Sequence, residues 1–95
     1  MSLVKRAVAK FDVGQLYMTR GVAEGIDEDD VFKALVRHLD GDWGDVDEHD
    51  RQMNDDAVSF GGRLLSAYVD RSNTRFWIIT EADRSATTIL LPSEY

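Results

Sequence analysis

The sequence predicts an α+β domain: two helices packed on one face of a small antiparallel sheet, with the last third of the chain forming a three-stranded meander. Three observations carry that expectation. Apolar residues recur at helical spacing between positions 28 and 60, the spacing changes to alternation after Gly61-Gly62, and β-branched and aromatic residues dominate from there to Leu91. Ninety-five residues, 43% hydrophobic and 31% charged, suit a single domain spanning 1-95 with one core. A chain of this size buries roughly 60–70% of its unfolded surface, which leaves little room for a deep cleft.

A first strand is expected within FDVGQLYMT (11–19), where Val13, Gln15, Tyr17 and Thr19 alternate with Asp12, Gly14, Leu16 and Met18, and Gly14 marks a bulge. Thr19, followed by Arg20-Gly21, can cap a short helical turn through Gly25. The next start signal is stronger. Asp27 stands at an N-cap position, Ile26 and Val31 are spaced as a hydrophobic staple, and Glu28, Asp29 and Asp30 occupy the first turn, where the helix dipole favours acid. Val31, Leu35 and Leu39, widened by Phe32 and Ala34, give a helix over 28–40 that Gly41 ends.

A second helix is expected over 47–60, with Met53, Ala57 and Phe60 on its inner face and two glycines as its stop. Beyond it, Leu65, Ala67 and Val69 point one way and Leu64, Ser66 and Tyr68 the other. Arg71-Ser72-Asn73-Thr74 reads as a turn, RFWIITE and ATTILL as strands joined through Ala82-Asp83-Arg84-Ser85, and Pro92 as the end of the last one. The expected core is Leu35, Leu39, Met53, Ala57, Phe60, Leu65, Ala67, Val69, Trp77, Ile79, Ile89 and Leu91.

Charge and cysteine usage narrow the function classes. The net charge is −7, and Glu24 to Asp56 holds thirteen acids against Lys33, Arg37 and Arg51, so the acid is concentrated in one half. Direct nucleic-acid binding is not expected, because phosphate neutralisation needs clustered Lys and Arg. With no cysteine, disulfides, thiolate metal sites and cysteine nucleophiles are excluded. Neither a signal-peptide core nor a membrane-spanning run is apparent, so a cytoplasmic location is expected.

The densest polar stretch is RHLDGDWGDVDEHD (37–50), with six carboxylates and both histidines of the chain around one tryptophan. A calcium loop counted from Asp40 would put Asp45 where glycine is needed and Arg51 where the closing glutamate is needed. His38 and His49 lack the spacing that sets two imidazoles on one helical face, and His38 near a helix end has a plain role against the dipole. The stretch therefore reads as the junction of two helices, with no metal or cofactor called for. Trp43, between Gly41 and Gly44, reads as a core plug before a binding anchor. A second cluster, TEADRS (80–85), reads as a tight hairpin cross-linked by an Asp or Glu to Arg84, a pairing that Arg63 and Arg75 near strand ends can extend; it contains no histidine beside Ser85 and no nucleophile elbow. The candidate binding residues are Asp42, Trp43, Asp45, Arg63, Glu81, Asp83 and Arg84, and none is assigned a catalytic role.

RHLDGDWGD (37–45), Asn54, GGRLLSAY (61–68), WIITEADRSATTILLP (77–92) and Glu94-Tyr95 together resemble a family of small proteins carried on conjugative plasmids and integrative elements of bacteria. The resemblance spans about residues 13 to 95. An early turn reading T-P-G in that family is Thr19-Arg20-Gly21 here. Such proteins are labelled plasmid-related or type I restriction endonuclease subunit M. The second label fails here, since a modification subunit needs a methyltransferase domain with its cofactor-binding loop. What the resemblance implies is an accessory protein of mobile DNA.

The leading expectation is accordingly a protein-binding accessory module of unnamed partner, without direct nucleic-acid or membrane binding, and with a homodimer open through a free sheet edge. An inhibitor that imitates nucleic-acid charge against a restriction or CRISPR-type defence complex ranks second. A minimal enzyme or divalent-metal protein, which would need the two polar clusters to converge, ranks third.

Overall fold

The computed structural model describes residues 9–95. The chain runs β1 (Gln15–Met18), α1 (Arg20–Gly25), α2 (Glu28–Leu39), α3 (Glu48–Phe60), β2 (Leu64–Val69), β3 (Arg75–Thr80), β4 (Ala86–Leu90) and a 3-10 turn (Pro92–Glu94). The α+β class and the C-terminal meander hold. Two features differ from expectation: there are three helices, and the sheet, ordered β1-β4-β3-β2, is mixed because β1 runs parallel to β4. A parallel neighbour needs a long crossover. The helices and the first two meander strands between Met18 and Ala86 supply it.

The helix signals are realised as caps. Thr19 accepts from Val22 N–H, Asp27 from Asp29 N–H and Asp47 from Asp50 N–H, starting α1, α2 and α3. Ile26 and Val31, the staple pair of α2, are both buried. α1 has a tertiary lock as well: the Glu94 carboxylate accepts from Gly21 N–H at 2.9 Å and from Thr19 Oγ1 at 2.6 Å. Those donors hold its carboxyl below the usual range. β1 is shorter than FDVGQLYMT suggested because Gly14 adopts φ +63, and a Cβ there would sit 2.3 Å from the Ser85 backbone.

The sheet face was misassigned. Leu64, Ser66 and Tyr68 of β2 are buried under the helices together with Phe76, Ile78, Thr80, Thr87 and Ile89, whereas Val69 is exposed. Apolar alternation favoured the opposite face because the inward positions include the small hydroxyl residues Ser66, Thr80 and Thr87. Of the expected core, Ala57, Ala67, Ile79 and Ile89 are buried, Leu35, Leu39, Leu65, Trp77 and Leu91 are partly buried, and Met53 and Phe60 are exposed. On α2 the buried positions are Val31, Ala34 and His38, and Phe32 lies outside.

Two apolar clusters result. One joins Val22, Ile26, Val31 and Ala34 to Tyr68, Phe76, Ile78 and Ile89; the other joins Trp43, Ala57 and Leu64, with Phe11, Val46 and Val58 at its margin. On the second sheet face Tyr95 meets the Trp77 ring edge-on at 5.7 Å. No helix among the described residues is long and apolar enough to cross a membrane.

Candidate functional site

The loop between α2 and α3 is built on two left-handed glycines, Gly41 and Gly44. Gly44 admits nothing else: a Cβ there would meet the Ala67 carbonyl oxygen at 2.0 Å, because the loop lies along β2 as a one-residue bridge. Ala67 N–H donates to the Trp43 carbonyl at 3.0 Å and Asp45 N–H to the Ala67 carbonyl at 2.7 Å. This seating drives Trp43 inward to 2% exposure, with its indole N–H donating to Asp55 at 2.9 Å. Trp43 is thus the core plug.

The acids around it are engaged locally. Arg37 grips Asp42 through Nε at 2.8 Å and Nη2 at 3.2 Å while lying over the Tyr68 ring at 4.8 Å. The guanidinium holds the Asp42 carboxyl below its usual range. Tyr68 donates its hydroxyl to the Asp42 carbonyl at 2.6 Å, and burial pushes that phenol up to about 12. Asp45 pairs with Arg75 at 2.8 Å. Such half-exposed pairs contribute about 0–1 kcal/mol each, and their main effect is to fix the loop.

The TEADRS turn is held from within. Arg84 adopts φ +61 and its guanidinium donates to the carbonyls of Ala57, Gly62, Glu81 and Ala82, binding the end of α3 to the hairpin. Asp83 accepts from Ser85 N–H at 2.9 Å, and the Ser85 hydroxyl first and this N–H second lower its carboxyl's pKa. Arg63 lies 3.8 Å from Glu81 and donates to the Tyr95 hydroxyl at 2.6 Å.

The structure brings Arg63 to Glu81, and it brings Trp43 and Arg84 to the same Phe11 ring, at 6.1 Å and 5.7 Å. It does not unite the two polar clusters. Asp45 stands beside Arg75 at the start of β3 while Glu81 follows its end, roughly 20 Å away at the rise of an extended strand. Two shallow depressions, of about 350 and 330 Å³, lie elsewhere: one between α2 and the β2–β3 turn, lined by Lys33, Arg37 and Arg71, the other beside Lys10, Trp43 and Ser59. Neither joins the clusters. Among the described residues no three His, Asp or Glu side chains form a metal-ligand group.

Three polar arrangements escaped the sequence. The first is buried: His38, fully enclosed, has Nδ1 2.5 Å from Ser66 Oγ and Nε2 2.9 Å from Thr80 Oγ1, and Thr80 meets Thr87 at 2.7 Å. Its imidazole points into the sheet and not toward the end of its helix. Burial, with a smaller contribution from the Arg84 charge, pushes it down to about 4, so it is neutral at pH 7. The second is Asn54, whose amide accepts from Leu65 N–H and donates to Leu65 C=O. The third is Arg71, which binds Asp27 and Asp30 and lowers the Asp30 carboxyl to about 2. Ser66 at an alternation break and Asn54 on an apolar helix face were the available hints, since buried polar groups imply partners.

Comparison with models of known protein families, with curated proteins and with solved structures produced no match.

Proposed function

We propose that this chain is a small acidic accessory module that acts by binding another protein, and that α3 with the loop before it forms the binding surface. One observation supports this above the others: Met53 and Phe60, two helical turns apart on one face of α3, are 58% and 87% exposed within the acidic half of the chain. Large apolar side chains on a helix face ringed by carboxylates have the composition of an interface centre with a charged rim. The occupant that fits is a protein surface with an apolar recess bordered by Lys and Arg, because like charge would repel an acidic partner. The bacterial mobile-element setting implied by the sequence resemblance belongs to this proposal.

A second reading takes that basic surface to be one that normally binds nucleic acid in a restriction or CRISPR-type defence complex. Asp40, Asp47, Asp50 and Asp56 favour it, being exposed and without a cationic partner among the described residues. An enzyme or divalent-metal protein built on Asp42, Asp45, Arg63, Glu81, Asp83 and Arg84 has no such support, since none of these residues lines either of the two depressions described above.

The test is capture from a bacterial lysate with three baits: wild type, Met53→Ser/Phe60→Ser, and Asp47→Asn/Asp50→Asn/Asp56→Asn, where Asn retains the N-cap. The expected result is a partner with a basic surface, held by wild type, lost by the serine variant and weakened by the asparagine variant and by salt. Displacement of that partner's complex by duplex DNA would select the mimicry reading. Equal capture by all three folded baits would refute the surface assignment.

A further inference from the structure

The two edges of the sheet are treated differently. On β2 the outward backbone groups of Leu65 and Ala67 are occupied by the chain itself: Asn54 takes the N–H and C=O of Leu65, and the Trp43–Asp45 loop takes those of Ala67. Among the described residues β1 has no such cover. Gln15 N–H donates to Ser85 C=O and Thr19 N–H to Ile89 C=O, so odd-numbered residues face β4, and Leu16 and Met18 turn their N–H and C=O outward. Natural edges are blunted by charge, proline or a bulge. Gln15–Met18 contains none of these, and Leu16, Tyr17 and Met18 are between 46 and 54% exposed.

We infer that β1 pairs antiparallel with β1 of a second copy about a two-fold axis at Tyr17, making one continuous eight-stranded sheet from the two four-stranded ones. The register is self-complementary. Leu16 and Met18 of one copy exchange N–H···O=C bonds with Met18 and Leu16 of the other, which pairs Leu against Met on the helix-side face. The two Tyr17 rings meet on the opposite face at the close, non-hydrogen-bonded position. No charge is buried in the pairing itself, because Gln15–Met18 has none and the nearest charged residues, Asp12 and Arg20, lie beyond its two ends.

The area sets the strength. The exposed parts of Leu16, Tyr17 and Met18 offer on the order of 300 Å² per copy, against roughly 800 Å² for a standard stable interface, so the dimer is weak and concentration-dependent. A dissociation constant on the order of 10–1,000 μM is expected.

Sedimentation of the full chain from about 10 μM to 1 mM, in parallel with amide exchange, tests this in the range that a small interface demands. The expected result is a rising mass, with exchange at Leu16 and Met18 slowing as concentration increases. Leu16→Lys/Met18→Lys sets like charges opposite each other and weakens association about tenfold or more. Leu16→Lys/Met18→Glu sets opposite charges face to face in this register and restores it. A monomer throughout, a dimer in which those amides stay fast, or protection of both amides in a species of monomer mass would each overturn the inference. The last outcome would give the edge to another segment of the same chain.

Discussion

Lowering the pH from 7 to 4.5 should unload the domain through one residue. His38 is fully enclosed, surrounded by Ser66, Thr80 and the Arg84 guanidinium, and its folded-state pKa lies near 4, against 6.5 for a free imidazole. Between those values the unfolded chain binds the proton and the folded chain does not. Stability is therefore complete above about pH 6.5, falls as pH drops, and levels off for this residue near pH 4. At about 1.4 kcal/mol per pH unit, the gap from 6.5 to about 4 corresponds to roughly 3–4 kcal/mol, a large share of a small domain's stability. The carboxylates held low by hydrogen bonds, Asp30, Asp42, Asp83 and Glu94, act in a separate window at and below their ordinary values of 3.8 to 4.5. Urea unfolding at half-unit pH steps gives the slope, and NMR of the His38 ring gives the folded-state titration. Stability that stays flat from pH 7 to 5, or a His38 ring that titrates near 6.5 in the folded protein, would refute the reasoning.

Gly44→Ala should destabilise by more than about 3 kcal/mol, because it combines a positive φ with a 2.0 Å approach to the Ala67 oxygen, whereas Gly61→Ala meets open space and should cost only the strain of a backbone at φ 91, ψ 157 that is open essentially to glycine alone, about 1–3 kcal/mol; thermal melts of the pair separate the two. Asn54→Leu removes both hydrogen bonds to Leu65 and should cost about 2–3 kcal/mol, with faster exchange of the Leu65 amide. Arg84→Lys cannot reach four carbonyls at once, and should lose about 2 kcal/mol and loosen the end of α3, visible as faster exchange at the Gly61 amide. Trp43→Phe retains the ring packing but leaves Asp55 without its donor, for a loss of about 1 kcal/mol by urea unfolding.

The contrast between what was legible in the sequence and what was not has a consistent cause. Caps are local, so Thr19 and Asp27 announced their helices within a residue or two, and the helix expected over 47–60 starts one residue later because Asp47 is its cap. The meander was legible from β-branched runs and turn residues. The orientation of β2 was not, because Ser66, Thr80 and Thr87 face inward to satisfy a histidine that lies 28 and 42 residues from the first two. Met53 and Phe60 were placed in the core by their spacing, yet α3 buries Asn54 and Ala57 against the β2 edge and leaves that apolar face outside. At the candidate site, the burial of Trp43 was readable from its flanking glycines, whereas the carboxylate expected to cross-link to Arg84 is replaced by four backbone carbonyls, partners that residue types do not announce. The pairing of Arg71 with Asp27 and Asp30 depends on tertiary approach and left no local trace.

The parallel pairing of β1 with β4 also orders events during synthesis. β1 leaves the ribosome early, but its partner strand and the Glu94 carboxylate that locks Thr19, 75 positions later, emerge only after the helices and the rest of the meander. The meander and the helix caps can form from neighbours as they appear. Closing the sheet means bringing together the two most distant pieces of the chain, the kind of non-local step that slows folding. Until then Leu16, Tyr17 and Met18 have neither edge satisfied, and nascent chains held close together on one messenger are most exposed to pairing wrongly at this strand.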